Sequence, residues 1–509
     1  SVPIAASDPV AQVRIDSPLP HLDRAFDYAV PASLAERAVV GMRVRVRFAG
    51  RLVDGLVVGR SSSTEAPGEL RPLDQVIGIE PVVTAQTLAL ISAVAERMAG
   101  TFWDVLRAAV PPRHARAEAE PPASTPVAPR STDPSPTGTS PTGTSPAAQA
   151  WQSYADGRAL AVALTGSAPV RVVWSAAPAG PWTDQVAAAV RAVLSEASGG
   201  VLVVVPDAWD VQQVVASLPD AGAVALTADL GPQARYRAYV SILRGHARLV
   251  VGTRNAVFAP VADLRLVVVW NDGEEPMWEP HAPYWNARDV AALRSHLDGV
   301  HLLVGSPART PETQRWCDAG WARSMVPTRA ATRALAPVVR AIEPDDAARD
   351  SAASVARIPH TAWLVAKEGL RTGPVLVQVA RRGYVPVVAC AQCREPALCA
   401  CGGALALPSP TSPAGCVRCG TPARGWHCTA CGSPRMRAAV IGVERTAEEF
   451  GRAFPDTRIV WSSGDRPVRR VPSGPALVVA TAGVEPVAAD GYAAVILLDA
   501  RAQLMRPHL

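Results

Sequence analysis

Eight of the nine cysteines fall between Cys390 and Cys431, in the runs CAQC, CAC, CVRC and CTAC. Two cysteines a short turn apart present both sulfurs to one metal ion. Two such pairs complete a tetrahedron, so four pairs make two sites. Disulfides are the competing reading. They belong to oxidising compartments, and nothing else in the chain points to one. The opening residues, SVPIAASDPVAQVRI, carry no apolar core of the length a secretion signal needs, and no apolar run approaches the ~18 residues of a membrane span. The expectation is therefore two Zn²⁺ ions per chain in a cytoplasmic protein with no membrane partner. The ligands are Cys390, Cys393, Cys399, Cys401, Cys416, Cys419, Cys428 and Cys431. Cys399 and Cys401 are separated by a single residue, which predicts a strained or less tightly held site. Cys317, the ninth cysteine, follows Trp316 in a helix-like stretch and reads as an inert core residue.

Composition narrows the remaining chemistry. The chain has 509 residues, enough for three or four domains, and 49% of them are hydrophobic, as in globular proteins. A formal net charge of +5 is compatible with nucleic acid without being diagnostic of it. Of the 50 basic residues only Lys367 is a lysine, so any chemistry that needs a lysine has one candidate.

The elements that position these groups follow in order. Residues 1–110 read as a β-rich module. Met42 to Phe48 (MRVRVRF) alternates with period two, Leu52 to Val58 is its return strand with Gly50 in the turn, and Arg43, Arg45 and Arg47 share one face. Thr84 to Met98 has helical spacing. Residues 111–150 form a Pro/Ser/Thr-rich linker whose SPTGTSPTGTSP cannot bury enough apolar surface to offset ordering, which predicts disorder. Residues 151–325 alternate α and β. Val201 to Pro206, Arg248 to Thr253 and Leu264 to Trp270 are apolar runs suited to buried parallel strands, with helices over Thr183 to Leu194 and Pro232 to Leu243. Residues 326–509 form a second α/β lobe interrupted by a zinc module at 388–435. Such an insertion is tolerated where its ends lie close together.

Two α/β lobes in tandem, the second carrying a double zinc knot, resemble the PriA family of replication-restart proteins (primosomal protein N′). The resemblance rests on LRGHARLVVGTRNAVFAPVADLRLVVV (Leu243 to Val269), PYWNARD (Pro283 to Asp289), GSPARTPET (Gly305 to Thr313), ARRGYVPVVACAQC (Ala380 to Cys393) and VERTAEEFGRAFP (Val443 to Pro455). It implies an α/β fold of two RecA-like helicase lobes, the second with an inserted double zinc-binding module, plus a small β-rich N-terminal DNA-binding domain. It also implies nested ligands: Cys390, Cys393, Cys428 and Cys431 for one zinc, and Cys399, Cys401, Cys416 and Cys419 for the other. His427, beside Cys428, is a possible substitute ligand.

The departures from the family bear on activity. A phosphate-binding loop needs G-x-x-x-x-G-K-[ST], with backbone amides cradling phosphates and the lysine reaching the β/γ oxygens. At that place the chain reads SAAPAGPWTD (Ser175 to Asp184), with no lysine or arginine, and Pro181 removes an amide. The acidic DEEH motif is replaced by Trp270-Asn271-Asp272-Gly273, so a tryptophan falls where a Mg²⁺-holding carboxylate is expected. Ala480 to Val487 lacks the Gln and Lys-Gly of the fifth helicase motif. The expectation is a form lacking intact helicase motifs: a DNA-binding restart protein that recognises abandoned forks and promotes primosome assembly and helicase reloading without helicase activity of its own. Forked and single-stranded DNA, single-stranded DNA-binding protein and the replicative helicase or its loader are the implied partners. Two alternatives stand beside it: an active ATP-dependent 3′-to-5′ helicase with a remodelled site, and a zinc-ribbon interaction module without DNA binding. In the N-terminal module the resemblance implies a pocket for a DNA 3′ end at Phe26, Asp27, Tyr28, Gly50 and Arg71. A ring there stacks on the terminal base, and the Asp accepts from the free hydroxyl. The strand arginines Arg43, Arg45 and Arg47 are candidate phosphate contacts. A core role for Phe26 and Tyr28 is the competing reading.

Overall fold

Alternating valines and arginines make Arg43–Phe48 a strand with one apolar face. In the computed structural model it is β3, joined to β4 (Arg51–Ser61) by a two-residue turn. Both turn residues have positive φ, Ala49 at 47° and Gly50 at 81°, the backbone that matches the twist of a tight hairpin. The structure describes residues 2–120, 149–178, 180–195, 199–341, 359–379, 388–393, 395–407, 413–438, 443–471 and 474–498. Most of the expected linker, Ala380 to Val387 of the stretch leading into the zinc module and the chain beyond residue 498 lie outside them. The chain divides into two compact units, Ser1–Val338 and Val339–Leu509.

The first unit contains two sheets. β1 (Val10–Ile15), β2 (Ala25–Ala29) and β5 (Gln75–Ile77) complete a five-stranded antiparallel sheet in the order β2-β1-β4-β3-β5. Two helices follow. α1 (Ala85–Arg97) is capped by Thr84, whose side chain accepts from Thr87 N, and α2 (Phe102–Ala109) opens with a Thr101/Asp104 capping box. The second sheet is wholly parallel and seven-stranded, ordered β12-β6-β11-β10-β7-β9-β8. Its strands are β6 (Arg171–Ser175), β7 (Gly200–Val204), β8 (Val224–Leu226), β9 (Leu249–Gly252), β10 (Leu264–Trp270), β11 (His301–Ser306) and β12 (Arg323–Met325), with helices α3 (Trp182–Leu194), α4 (Pro232–Leu243) and α5 (Ala287–Leu297) between them.

The strands are apolar on both faces because both faces are covered. Val201, Val203, Leu266 and Val268 point into a core with α3, and Leu202, Val204, Val267 and Val269 into a core on the other face. Leu90, Ile91 and Val94 of α1 and Phe102, Val105 and Leu106 of α2 belong to that second core. The helices that end the N-terminal module therefore cover one face of the parallel sheet. Polar contacts reinforce the join: Tyr239 Oη donates to Val82 O at 2.7 Å, and Arg244 holds the Glu80 carboxylate through Nε and Nη2.

The second unit carries a smaller parallel sheet, β18 (Ile459–Ser462), β20 (Leu477–Thr481), β13 (Val375–Val379) and β22 (Ala494–Leu497) in that order. Helices α6 (His360–Gly369) and α7 (Val443–Ala453) cover one face, with Ala366, Phe450 and Phe454 packed on Val375, Val377, Leu477 and Val479. A short parallel ladder joins β19 (Arg470–Val471) to β21 (Val487–Ala488). The cysteine module interrupts this unit. Its first strand, β14 (Val388–Cys390), pairs antiparallel with its last, β17 (Met436–Ala438), so the ends of the insertion are neighbours, as insertion into a folded lobe requires. Between them lie β15 (Leu405–Ala406) and β16 (Gly415–Cys416). The fold is thus two RecA-type parallel α/β lobes with a β-rich N-terminal domain and an inserted cysteine module.

Candidate nucleic-acid interface and metal centres

β2 is an edge strand of the five-stranded sheet, paired with β1, and only its last residue, Ala29, bonds a further segment, at Arg71 and Leu73, among the described residues. Successive side chains on a strand face opposite ways. Phe26 and Tyr28 point to the inner face and Asp27 to the other. Phe26 is half-buried, its ring 4.9 Å from that of Phe48 and steeply tilted to it, next to the Ala49–Gly50 turn. Tyr28 is in the core of the five-stranded sheet. Burial pushes its hydroxyl pKa up, with Arg71 nearby pulling it back. Arg71 accepts Ala29 N at its carbonyl and exposes its side chain. Asp27 accepts a 2.5 Å hydrogen bond from Thr64 Oγ1, a partner that lies in the long excursion after β4. So Phe26 and Gly50 gather at one end of the sheet, Tyr28 meets Arg71, and Asp27 faces away from both aromatic rings.

Arg43 departs from the expectation of a single phosphate-facing row. It donates to Pro111 O at 3.1 Å, and burial holds its guanidinium below the ordinary range. The strand lies under the segment that leads to the parallel lobe, and this end of its arginine face is covered. Arg45 and Arg47 remain exposed, in surface pairs with Asp54 (3.0 Å) and Asp74 (3.4 Å). Such pairs are weak, so a phosphate can exchange for either carboxylate.

The eight module cysteines fall into two groups of four, Cys390/Cys393/Cys428/Cys431 and Cys399/Cys401/Cys416/Cys419, the sulfurs of each group lying within 4.8 Å of one another. Either group could hold a metal ion. A tetrahedron with metal–sulfur bonds of about 2.3 Å separates its sulfurs by about 3.8 Å. The closest sulfurs are 3.4–3.5 Å apart in the first group (Cys393–Cys428, Cys390–Cys431) and 3.5–3.8 Å in the second (Cys401–Cys416, Cys399–Cys419). Backbone N–H groups of Cys393 and Gln392 lower the Cys390 thiol to about 6, and the Thr421 hydroxyl and N–H do the same for Cys419. His427 Nδ1 lies 2.8 Å from Gly425 O, and His427 belongs to neither group.

In doubly wound sheets, ligands sit at the carboxyl ends of the strands, and phosphates at the helix N-terminus that follows. Here that crevice, at the ends of β6 and β10, contains indoles. Trp151, Trp174, Trp270 and Trp182 form a continuous chain, with successive ring centroids 5.0, 5.2 and 4.4 Å apart. Trp151, Trp174 and Trp270 are at most 5% exposed. Gly305 on β11 is required for this packing, since a Cβ there would come 2.1 Å from the Trp174 ring. The loop before α3 turns its amides inward. Ala177 N and Trp174 Nε1 both donate to Tyr154 Oη (2.9 and 2.7 Å), Gly180 N donates to Ala177 O, and Trp182 N to Gly180 O. Counting G-K-[ST] from Gly180 puts Pro181 at the lysine and Trp182 at the hydroxyl. Sequence reasoning noted Trp270 but missed Trp182; the motif count was the signal that could have found it.

The acidic residues beyond Trp270 take different places. Glu274 and Glu275 are exposed, while Asp272 is fully buried. Its Oδ2 accepts from Arg288 Nη1 (2.9 Å) and Thr310 Oγ1 (2.8 Å). Arg288 is itself 1% exposed and also bonds Asp289 and Glu312. The carboxylate nearest the strand tip is thus neutralised internally by a guanidinium.

Comparison with known proteins identifies the family. A family model described as "3'DNA-binding domain (3'BD)" of PriA matches residues 12–111. The "Probable replication restart protein PriA" of Mycobacterium bovis is 47% identical over 503 residues, covering 96% of this chain and 74% of that protein. The "Replication restart protein PriA" of Bacillus subtilis is 24% identical over 239 residues, 46% of this chain and 29% of that one. A crystal structure of the Pyrococcus furiosus Hef helicase domain is 15% identical over 42% of this chain and 44% of that one, with a TM-score of 0.27. Among the described residues no helix is long and apolar enough to cross a membrane. The chain belongs to the PriA family of replication restart proteins and carries that family's 3′ DNA-binding domain near its start.

Proposed function

We propose that this protein binds the 3′ end of a nascent strand at an abandoned replication fork and promotes primosome assembly and reloading of the replicative helicase, without hydrolysing ATP. The observation that carries the reading is the filled crevice. Phosphoryl transfer needs a lysine on the phosphates and a Mg²⁺ held by a loop hydroxyl and a strand-end carboxylate. Proline, tryptophan and tryptophan stand at those three positions, and the loop amides are turned onto the protein's own oxygens. The 3′ DNA-binding domain supplies the fork contact through Phe26, Asp27, Tyr28, Gly50 and Arg71, with Arg45 and Arg47 beside them. Zinc in the two cysteine groups would be structural: bound there, it closes the module around two tetrahedral thiolate sites. Single-stranded DNA-binding protein and the replicative helicase or its loader are the partners this role requires, in the cytoplasm.

The test pairs two measurements on the whole chain. Titrations use forks with a free or a blocked 3′ end, and ATPase assays use the same forks. The expected result is preference for the free end with no DNA-stimulated turnover. DNA-stimulated turnover lost on changing Trp182 or Trp270 would make the protein an ATP-driven helicase with a remodelled site. Absence of fork binding would leave a zinc-ribbon interaction module.

A further inference from the structure

We propose that Arg24 is a phosphate-binding residue of the 3′-end site, oriented by the ring of Phe26. Arg24 stands immediately before β2, two residues from Phe26, and so shares its face of the strand. Its guanidinium carbon lies 4.7 Å from the centroid of the Phe26 ring. Among the described residues this is its side chain's one contact: no ion pair or hydrogen bond engages it, and it is exposed. Five other arginines of the domain are engaged, while Arg51, Arg71 and Arg97 are exposed and, among the described residues, lack an aromatic ring beneath them. Arg14 is paired with Asp23, Arg43 with Pro111 O, Arg45 with Asp54, Arg47 with Asp74, and Arg60 with the carbonyls of Asp8 and Ala38.

The backbone under Arg24 is fixed. The neighbouring Asp23 accepts Arg14 Nη1 (3.1 Å) through one oxygen and Phe102 N (3.0 Å) through the other, which ties this corner to the start of α2. Phe26 is in turn held against Phe48 at the Ala49–Gly50 turn. A guanidinium resting on an aromatic ring keeps its N–H donors free around its rim. It can take an anionic oxygen without leaving the ring, which a lysine ammonium does less well. Because the ring face is already covered, Arg24 rather than a base occupies it. The group presented to DNA there is a planar cation with unsatisfied donors, suited to a phosphodiester. Arg24 and Asp27 are three residues apart, a span of about 10 Å along the chain, and face opposite ways, so a strand end that reaches both crosses the outer edge of β2. A hydroxyl at Asp27 and a phosphate at Arg24 therefore belong to the same short piece of backbone, which assigns Arg24 the last phosphodiester before the 3′ end.

This inference rests on the 3′-end reading proposed above, and the experiment separates the two. Fluorescent forks are titrated in three forms: free 3′ end, blocked 3′ end, and free 3′ end with the last phosphodiester replaced by a neutral methylphosphonate. Wild-type protein should bind the methylphosphonate fork roughly 10-fold more weakly than the unmodified one, as loss of a charge-assisted hydrogen bond implies. Arg24→Ala should lose a similar factor on the unmodified fork and be indifferent to the methylphosphonate, and its salt slope should fall by about one. Arg24→Lys should recover only part of the loss. Arg97→Ala, the same charge change at an exposed arginine of α1, should keep the full methylphosphonate effect. Equal sensitivity of wild type and Arg24→Ala to the methylphosphonate would overturn the assignment while leaving 3′-end recognition standing. Equal binding of free and blocked forks by wild type would overturn both.

Discussion

Trp182 lies flat on Trp270, ring centroids 4.4 Å apart and planes within 4° of parallel. In a nucleotide-binding lobe these two positions would carry the hydroxyl and the carboxylate that share a Mg²⁺. Here they share a stacking contact, and Trp174 and Trp151 extend it into the core. One replacement removes a ligand; both together, in contact, turn a polar crevice into packed apolar interior. Burial and ring contact stabilise this packing.

The first prediction concerns that packing. Trp182→Ala should cost about 2–3 kcal/mol, below the ~3–5 of a fully buried tryptophan because Trp182 is only half-buried. Trp270→Asp, which restores the acidic residue type, should cost more, since it sets a carboxylate among indoles without a partner. Neither should create ATPase activity. Urea unfolding and binding of a fluorescent ATP analogue with Mg²⁺ check this. Measurable nucleotide affinity in the wild type would show that the indoles move aside.

The second concerns Asp272 and Arg288, both essentially excluded from water. Removing one member of a buried pair strands the other. Arg288→Met should therefore destabilise the protein by roughly 3–5 kcal/mol, while Arg288→Met with Asp272→Leu should recover a large part of that loss. A double-mutant cycle in urea should return a coupling above ~1 kcal/mol. Additive effects would mean that Thr310, Asp289 and Glu312 hold the site without the pair.

What the sequence disclosed follows the range of the interactions involved. The helices over Thr84 to Met98 and Pro232 to Leu243 are local objects, set by a cap and by apolar spacing, and they stand within a residue or so of their expected ends. The apolar runs of the parallel lobe read as strands because both faces are buried. β1, β2 and β5 were not legible: they are short, and their pairing is decided by partners up to tens of residues away. For the same reason the Trp182–Trp270 stack, the fit of Gly305 to Trp174 and the cover over Arg43 needed coordinates. The apolar faces of α1 and α2 announced burial but not that the partner was the parallel sheet. The cysteines are the opposite case. Their spacing announced metal sites, and the two groups of four coincide with the nested sets implied by family resemblance.

The third prediction follows from how those groups are placed. The Cys390/Cys393/Cys428/Cys431 group sits at the base, where β14 and β17 pair and the chain leaves and rejoins the lobe. The other group sits on the β15–β16 hairpin, with Cys399, Cys401 and Cys419 all at least partly exposed. Its Cys399–Cys401 pair has one intervening residue, and its sulfurs range more widely in separation. Structural zinc is worth roughly 10–16 kcal/mol in small modules, so losing either ion should unfold the part it closes. The outer ion should leave first. Titration with a chromogenic chelator should release two zinc equivalents in two phases, and Cys401→Ser should retain one ion with fork binding intact. Cys393→Ser removes a ligand at the base, where both ends of the insertion meet; it should lose both ions, because the outer hairpin hangs from that closure. Native mass spectrometry of the variants counts the ions directly. Release of both ions in one phase, or retention of two by Cys401→Ser, would show that the sites do not form the hierarchy their placement implies.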